Sequence, residues 1–418
     1  MCIFLKIVLP TTCPSSVVMP GVRLYNVQFF LQTSSLLFKS HITLNAIRRR
    51  ATQLPRFRPL PHVIASCLST GPVRSQSTMQ SHHSMPAPAQ NKINKPVVGS
   101  RLAGESGRQY TIKCVLQEKD NRPEKVYLAS RDDGHKFVFK EVPPSMFEPA
   151  CDMQRDLIAH ERSSYLRLMR DSIPEQSILI YDYATDHLLS LAQKEIPLAA
   201  RKRILRDALR GLAALHDKNI VHADVKANNI LVNYTNGDEN IVVKSVQLAD
   251  LEDAAYVPPG SDIVGSQVGN QLWRSPEAHA QGPVNSPSDM FSYGIVCIYV
   301  LSRTVIFAPS AKEIEEPEME PLSIILERQI SYFAEPDTFD ALLRYLGPES
   351  PWCEIFTVVR SGFNEQNRRK PFRLWKVEKP GFDEDFLDLV GAMTNFDPAK
   401  RITAREALAH RWFADVEG

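Results

Sequence analysis

The run Ile220-Val221-His222-Ala223-Asp224-Val225-Lys226-Ala227-Asn228-Asn229-Ile230-Leu231 brings a carboxylate, a lysine and two amides within a few residues of one another. Asp250 follows twenty-one residues beyond Asn229, in Val246-Gln247-Leu248-Ala249-Asp250-Leu251-Glu252. A carboxylate can take a proton from a hydroxyl. Amide and carboxylate oxygens are hard ligands for a divalent cation, and an ammonium is a point charge for an anion. Ser275-Pro276-Glu277 and Ser288-Asp289-Met290-Phe291-Ser292-Tyr293-Gly294 come next.

These residues need elements to hold them. Val126–Leu128 and Phe137–Lys140 are β-rich and flank Asp132-Asp133-Gly134, a hairpin turn signal. Over 147–169, Met153, Leu157, Tyr165, Leu168 and Met169 recur at helical spacing, and Ser177–Tyr183 reads as a short apolar strand. In 199–216, Ile204, Leu205, Ala208, Leu212 and Leu215 line one helix face immediately ahead of the His222 run. Met290–Leu301 reads as a helix buried nearly all round, and Thr403–Glu406 is a capping box. The expectation is an α+β chain in two lobes, a small β-rich one over about 108–183 and a larger helical one over about 184–413.

In order and spacing, the motifs resemble the protein-kinase set H-R-D-x-x-x-x-N, D-F-G and A-P-E over about residues 108–413. More narrowly, Leu248–Tyr256 and Gly269–His279 resemble kinase-like proteins of filamentous fungi. The resemblance implies transfer of the γ-phosphoryl of Mg·ATP to a protein hydroxyl, chemistry that demands positioning and charge neutralisation. Asp224 would accept the hydroxyl proton, and Lys226 would reach the transferring phosphate, a lysine placement that favours Ser/Thr acceptors. Asn229 and Asp250 would hold Mg²⁺. Lys140, closing the strand Phe137–Lys140, would anchor the nucleotide phosphates. Its acidic partner would come from the next helix, Glu161 first, with Glu148 and Asp156 as fallbacks. Val126, Val138 and Leu231 match positions that sandwich adenine, and Tyr181, Asp182 and Tyr183 match the hinge. Glu277 would pair with Arg401, and Asp289 would anchor the catalytic loop. No nucleic-acid partner and a monomer are expected.

The pattern is also broken in places. Between Val115 and Val126 the chain reads Leu-Gln-Glu-Lys-Asp-Asn-Arg-Pro-Glu-Lys, without the glycines that let backbone amides approach phosphates. Glu252 stands where D-F-G has glycine and Leu251 where it has phenylalanine. Ala223 replaces the arginine that binds an activation-segment phosphate, so phosphorylation of 254–271 should not be needed. Asn270 stands where a threonine is usual. These departures keep open a second reading, a pseudokinase that binds nucleotide or partners without turnover.

The chain has 418 residues, 43% of them hydrophobic and 23% charged, enough for a packed core and incompatible with global disorder. Its net charge of +1 conceals an asymmetry. Residues 1–100 hold eleven Lys or Arg and no acid, leaving the remainder at −10. That stretch, with Arg48, Arg49 and Arg50 in a row, reads as a basic tail, a matrix-targeting segment or sequence upstream of a later start such as Met79 or Met85. Seven scattered cysteines without a C-x-x-C pair point to a reducing compartment, with cytoplasmic placement expected and a mitochondrial one the alternative. No run is apolar enough to span a membrane. The acids of Glu313–Glu320 read as a solvated insert, and Phe363, Phe372 and Trp375 as packing.

Overall fold

The computed structural model describes residues 95–119, 122–160, 163–237, 241–315 and 320–416. The basic segment up to residue 94 and Glu161 lie outside the described residues.

Strand alternation builds the first lobe. β1 (Arg101–Ala103), β2 (Gln109–Lys119), β3 (Arg122–Ser130), β4 (Lys136–Glu141), β5 (Asp171–Ile173) and β6 (Ile178–Asp182) form an antiparallel sheet in the order β1-β2-β3-β4-β6-β5. The sheet begins ahead of the 108 boundary, since Gly99 and Ser100 already exchange backbone bonds with Ile112 at 2.9 and 3.0 Å. Phe137 and Phe139 turn to one face and pack with Tyr110, Ile112, Tyr127 and Ile180. Val138 and Lys140 take the other face. There their register partners Tyr181 and Leu179 meet Phe147, Ala150 and Cys151 of α1 (Pro144–His160).

The second lobe starts with β7 (Asp186–His187), α2 (Leu188–Leu191) and α3 (Leu198–His216). β8 (Ile220–Val221) pairs with β11 (Ala255–Tyr256), and β9 (Ile230–Asn236) lies between β7 and β10 (Ile241–Leu248). Then come α4 (Pro276–His279), α5 (Ser286–Ser302), α6 (Ala311–Glu315), α7 (Pro321–Phe333), α8 (Pro336–Leu346), α9 (Pro351–Ser361), α10 (Glu384–Met393) and α11 (Ala404–Leu408). The apolar stripe of α3 is buried, and α5 is buried on every side from Ser288 to Leu301, with α3 and α10 against it. The Thr403–Glu406 capping box opens α11. The chain end is tied to α3 by Lys202–Asp415 at 2.7 Å and by Arg206, which donates to the Val416 carbonyl at 2.5 Å.

Two expectations need correction. The helix predicted over 147–169 stops at His160; Leu166 instead bridges to Leu248, and Leu248 donates to the Tyr165 carbonyl at 2.8 Å. The apolar residues of that stretch are satisfied by β10 and α3, not by continuing the helix. Gly211 of α3 makes the approach possible, because a Cβ there would lie 2.6 Å from the Tyr165 carbonyl oxygen. Within the acidic run, Glu313 is not simply solvated, taking two bonds from the Arg328 guanidinium at 2.8 and 3.0 Å, and residues 316–319 lie outside the described residues. Phe372 is core, with Trp375 edge-on at 5.2 Å. Among the described residues Cys151, Cys297 and Cys353 are free thiols, and no helix is long and apolar enough to cross a membrane.

Candidate active site

The loop between β8 and β9 hangs from the buried helix α5. Asp289 accepts the backbone N–H groups of His222 at 2.7 Å and Ala223 at 2.9 Å, and its Oδ2 lies 3.0 Å from His216 Nε2. His222 is fully buried and links two loops. Its Nδ1 accepts the Asp224 N–H at 3.3 Å, so the proton sits on Nε2, which donates to the Ala249 carbonyl at 2.9 Å. The Ala249 N–H in turn donates to the Asn229 carbonyl at 2.8 Å. Asp224, Asn229 and Asp250 are thereby carried on one hydrogen-bonded unit.

Their side chains converge on it. The Lys226 ammonium pairs with Asp224. The Asn229 amide nitrogen donates to the Asp224 carbonyl at 2.9 Å and to its Oδ2 at 3.3 Å, which leaves the amide oxygen as the group available to a cation. Asp250 has a left-handed backbone, φ +72°, uncommon outside glycine but tolerated by aspartate. Burial would raise its pKa, but Lys140 and Lys226 outweigh that and hold the carboxyl well below its ordinary range.

Lys140 reaches from the sheet into this cluster and meets two carboxylates, Asp250 and, at 2.7 Å, Glu252. Burial draws its ammonium down; the two acids more than compensate, so it stays charged above the ordinary lysine value. Of the expected helix partners, Glu161 lies outside the described residues and the two fallbacks are corrected here. Glu148 and Asp156 do not touch Lys140: Glu148 lies near Arg155, while Asp156 engages His160 at 3.3 Å and the Tyr256 hydroxyl at 2.7 Å. Tyr181 is the first of the expected hinge residues. Sharing a sheet face with Val138 and Lys140, it is buried, and its hydroxyl donates to Glu252 Oε1 at 2.8 Å and accepts from Gln154 Nε2 at 3.0 Å. Burial first and the Glu252 charge second push its phenol well above the ordinary value, keeping the donor proton in place. The Arg167 guanidinium covers the Tyr181 ring, 4.8 Å from its centroid.

Val126 stands opposite Lys140 in the β3–β4 register, and Val138 opposite Tyr181. Leu231 is half-buried on β9, in register with His187. Of the two remaining hinge residues, Asp182 is engaged by Arg170 at 2.6 Å and by His135 at 3.2 Å, whereas Tyr183 is exposed. β2 and β3 pair as far out as Lys119 and Arg122; the two residues between lie outside the described set.

Beyond Tyr256 the segment is laid down by backbone and side-chain hydrogen bonds. Val257 donates to the Asn219 carbonyl at 2.7 Å, Ile263 bridges to Val284, and the Gln267 side chain donates to the His279 carbonyl at 2.8 Å. Gly269, φ +75°, packs so tightly on the loop that a Cβ would sit 2.6 Å from the Ala223 carbonyl oxygen. Glu277 and Arg401 make a two-armed pair at 2.5 and 2.8 Å.

A carboxylate paired with a lysine, together with an amide oxygen and a second carboxylate, suits an Mg²⁺ ion that keeps phosphate and water oxygens. Among the described residues no three or more His, Cys, Asp or Glu form a group that could hold a metal by themselves. Sequence reasoning missed Gln154 and the roles of the Tyr181 hydroxyl and Glu252. The available signal was an acid at the D-F-G glycine position.

Residues 124–413 match the family profile described as Protein kinase domain. Cyclin-dependent kinase 4 of Ovis aries is 28% identical over 275 residues, covering 63% of this chain and 79% of that protein. The serine/threonine-protein kinase ssn3 of Aspergillus clavatus is 23% identical over 352 residues, 74% and 80% of the two chains. Human cyclin-dependent kinase 20 is 27% identical over 246 residues, 56% and 61% respectively.

Proposed function

The chain belongs to the protein kinase family, and from that premise we propose that it is an active Ser/Thr kinase, with residues 108–413 as its catalytic unit. It would transfer the γ-phosphoryl of Mg·ATP to a protein hydroxyl. The observation that carries the reading is the convergence of Lys140, Asp224, Asn229 and Asp250 on one unit pinned by Asp289 and His222. Asp224 orients the acceptor hydroxyl and takes its proton. Asn229 and Asp250 would hold the cation, which when bound neutralises phosphate charge. Lys140 binds phosphate from above and Lys226 from the side of the acceptor. Val126, Val138 and Leu231 wall the base, with Asp182 and Tyr183 at its edge. The relative named as a serine/threonine-protein kinase, together with Lys226 two residues after Asp224, supports a Ser/Thr acceptor.

A second reading, a non-catalytic binding module, is favoured by one feature. No glycine occupies the β2–β3 tip, and Glu118 and Glu124 flank it instead. The test incubates the full chain with labelled ATP, Mg²⁺ and peptides containing Ser, Thr or Tyr. Transfer to Ser and Thr peptides, falling ~10²-fold or more in Asp224→Asn and Asp250→Asn, is expected. Nucleotide-dependent thermal stabilisation without transfer would favour the second reading.

A further inference from the structure

A lysine that binds phosphate needs a carboxylate to hold its ammonium in the cleft, and in protein kinases that acid comes from a helix whose position controls the pair. Among its described residues, α1 presents no acid to Lys140. Its inward residue is Gln154, 1% exposed, whose nitrogen donates to the Tyr181 hydroxyl and whose oxygen accepts the Met169 N–H at 2.9 Å. Both bonds are between neutral groups.

We propose that Glu252 is the positioning residue for Lys140, supplying from the start of the activation segment the carboxylate that a helix supplies elsewhere. The side chain of Glu252 is 10% exposed and both its oxygens are engaged, Oε2 by Lys140 at 2.7 Å and Oε1 by the Tyr181 hydroxyl at 2.8 Å. A carboxylate that buried is retained only where partners compensate its lost hydration. Asp250 also touches Lys140, but it is the oxygen donor a cation would claim, so Glu252 is the acid free to stay with the lysine. Glu252 and Asp250 flank Leu251 at the start of one short turn, Leu251–Asp253. Lysine partner and cation ligand therefore move together. α1 packs against that turn and adds the Gln154–Tyr181 bond, but among its described residues it gives Lys140 no acid.

The inference rests on the nucleotide-cleft reading above, and the test separates the two. Glu252→Gln, Gln154→Glu and the double variant are made in the full chain and melted without ligand; turnover is measured in parallel. Glu252→Gln should lower the melting midpoint by about 3 °C and kcat ~10-fold with the peptide KM unchanged. Adding Gln154→Glu should return both most of the way, because the charge is restored from the helix side. An unchanged Glu252→Gln protein, or a double variant no better than it, overturns the proposal. So does recovery of the midpoint without turnover when the parent is active. If no variant turns over, the parent included, while the midpoints follow the expected pattern, the Lys140–Glu252 assignment stands and the kinase reading falls. Should Glu252→Gln fail to fold, Tyr181→Phe removes only the hydroxyl holding Oε1. It should cut kcat about threefold, and an unchanged kcat overturns the proposal.

Discussion

Arg401 grips Glu277 with both arms of its guanidinium, at 2.5 and 2.8 Å, with the two side chains 0% and 1% exposed. The pair ties the segment after the active-site loop to the last helices, and the remaining Arg401 donors reach the Asn395 and Pro287 carbonyls. Both side chains are closed to bulk solvent. Glu277→Ala should therefore cost about 3–5 kcal/mol by leaving a buried cation unpaired, read as a lowered urea midpoint. Replacing both residues by apolar ones of similar size should cost clearly less.

Asp289 holds the active-site loop through two charged hydrogen bonds to backbone N–H groups, each worth about 1.5–3 kcal/mol. Asp289→Ala should lower stability by about 3 kcal/mol or more and reduce turnover further than the loss of folded protein explains. Asp289→Asn, which keeps one acceptor, should lie between it and the parent. Urea titration and single-turnover rates on the same preparations give the comparison.

The 254–271 segment is held by hydrogen bonds of its backbone and of its Tyr256 and Gln267 side chains, and Ala223 offers no charge to a phosphate there. Ser261 and Ser266 are exposed. The double variant Ser261→Ala, Ser266→Ala should turn over at the parent rate within about twofold, as exposed surface substitutions usually do. Lost turnover in that variant would show that the segment needs a phosphate after all.

His279 should make stability fall in mild acid. It is buried; burial first and the neighbouring Arg274 second hold its imidazole well below the ordinary 6.5. Unfolded chains bind a proton as pH drops through 6.5, and the folded protein does not. Stability is therefore full above that pH and declines below it, by about 1.4 kcal/mol per pH unit from this group. Urea midpoints between pH 7 and 5 should show the decline, and His279→Gln should flatten it.

Much of the site could be read from the chain. His222 to Asn229 and Asp250 are local motifs whose spacing survives any packing, and the stripes of α3 and α5 announce burial by their own periodicity. The turn at Gly134 and the cap at Thr403 were legible for the same reason, because their bonds close within a few residues. The partner of Lys140 was not legible. It lies 112 residues away on another element, and only the strand alternation that turns Lys140 and Tyr181 to one face brings it within reach.

The same division runs through the whole protein. Residue types and short spacings were enough to name the chemistry and the two-lobed plan, because hydrogen bonding within a turn and apolar periodicity are local properties. Folding in three dimensions decided which acid faces which base. It ended α1 at His160, engaged Glu313 with Arg328 and assigned Lys140 to Glu252. Charges find partners by distance in space, which depends on how sheet and helices pack and leaves no mark in the order of the residues.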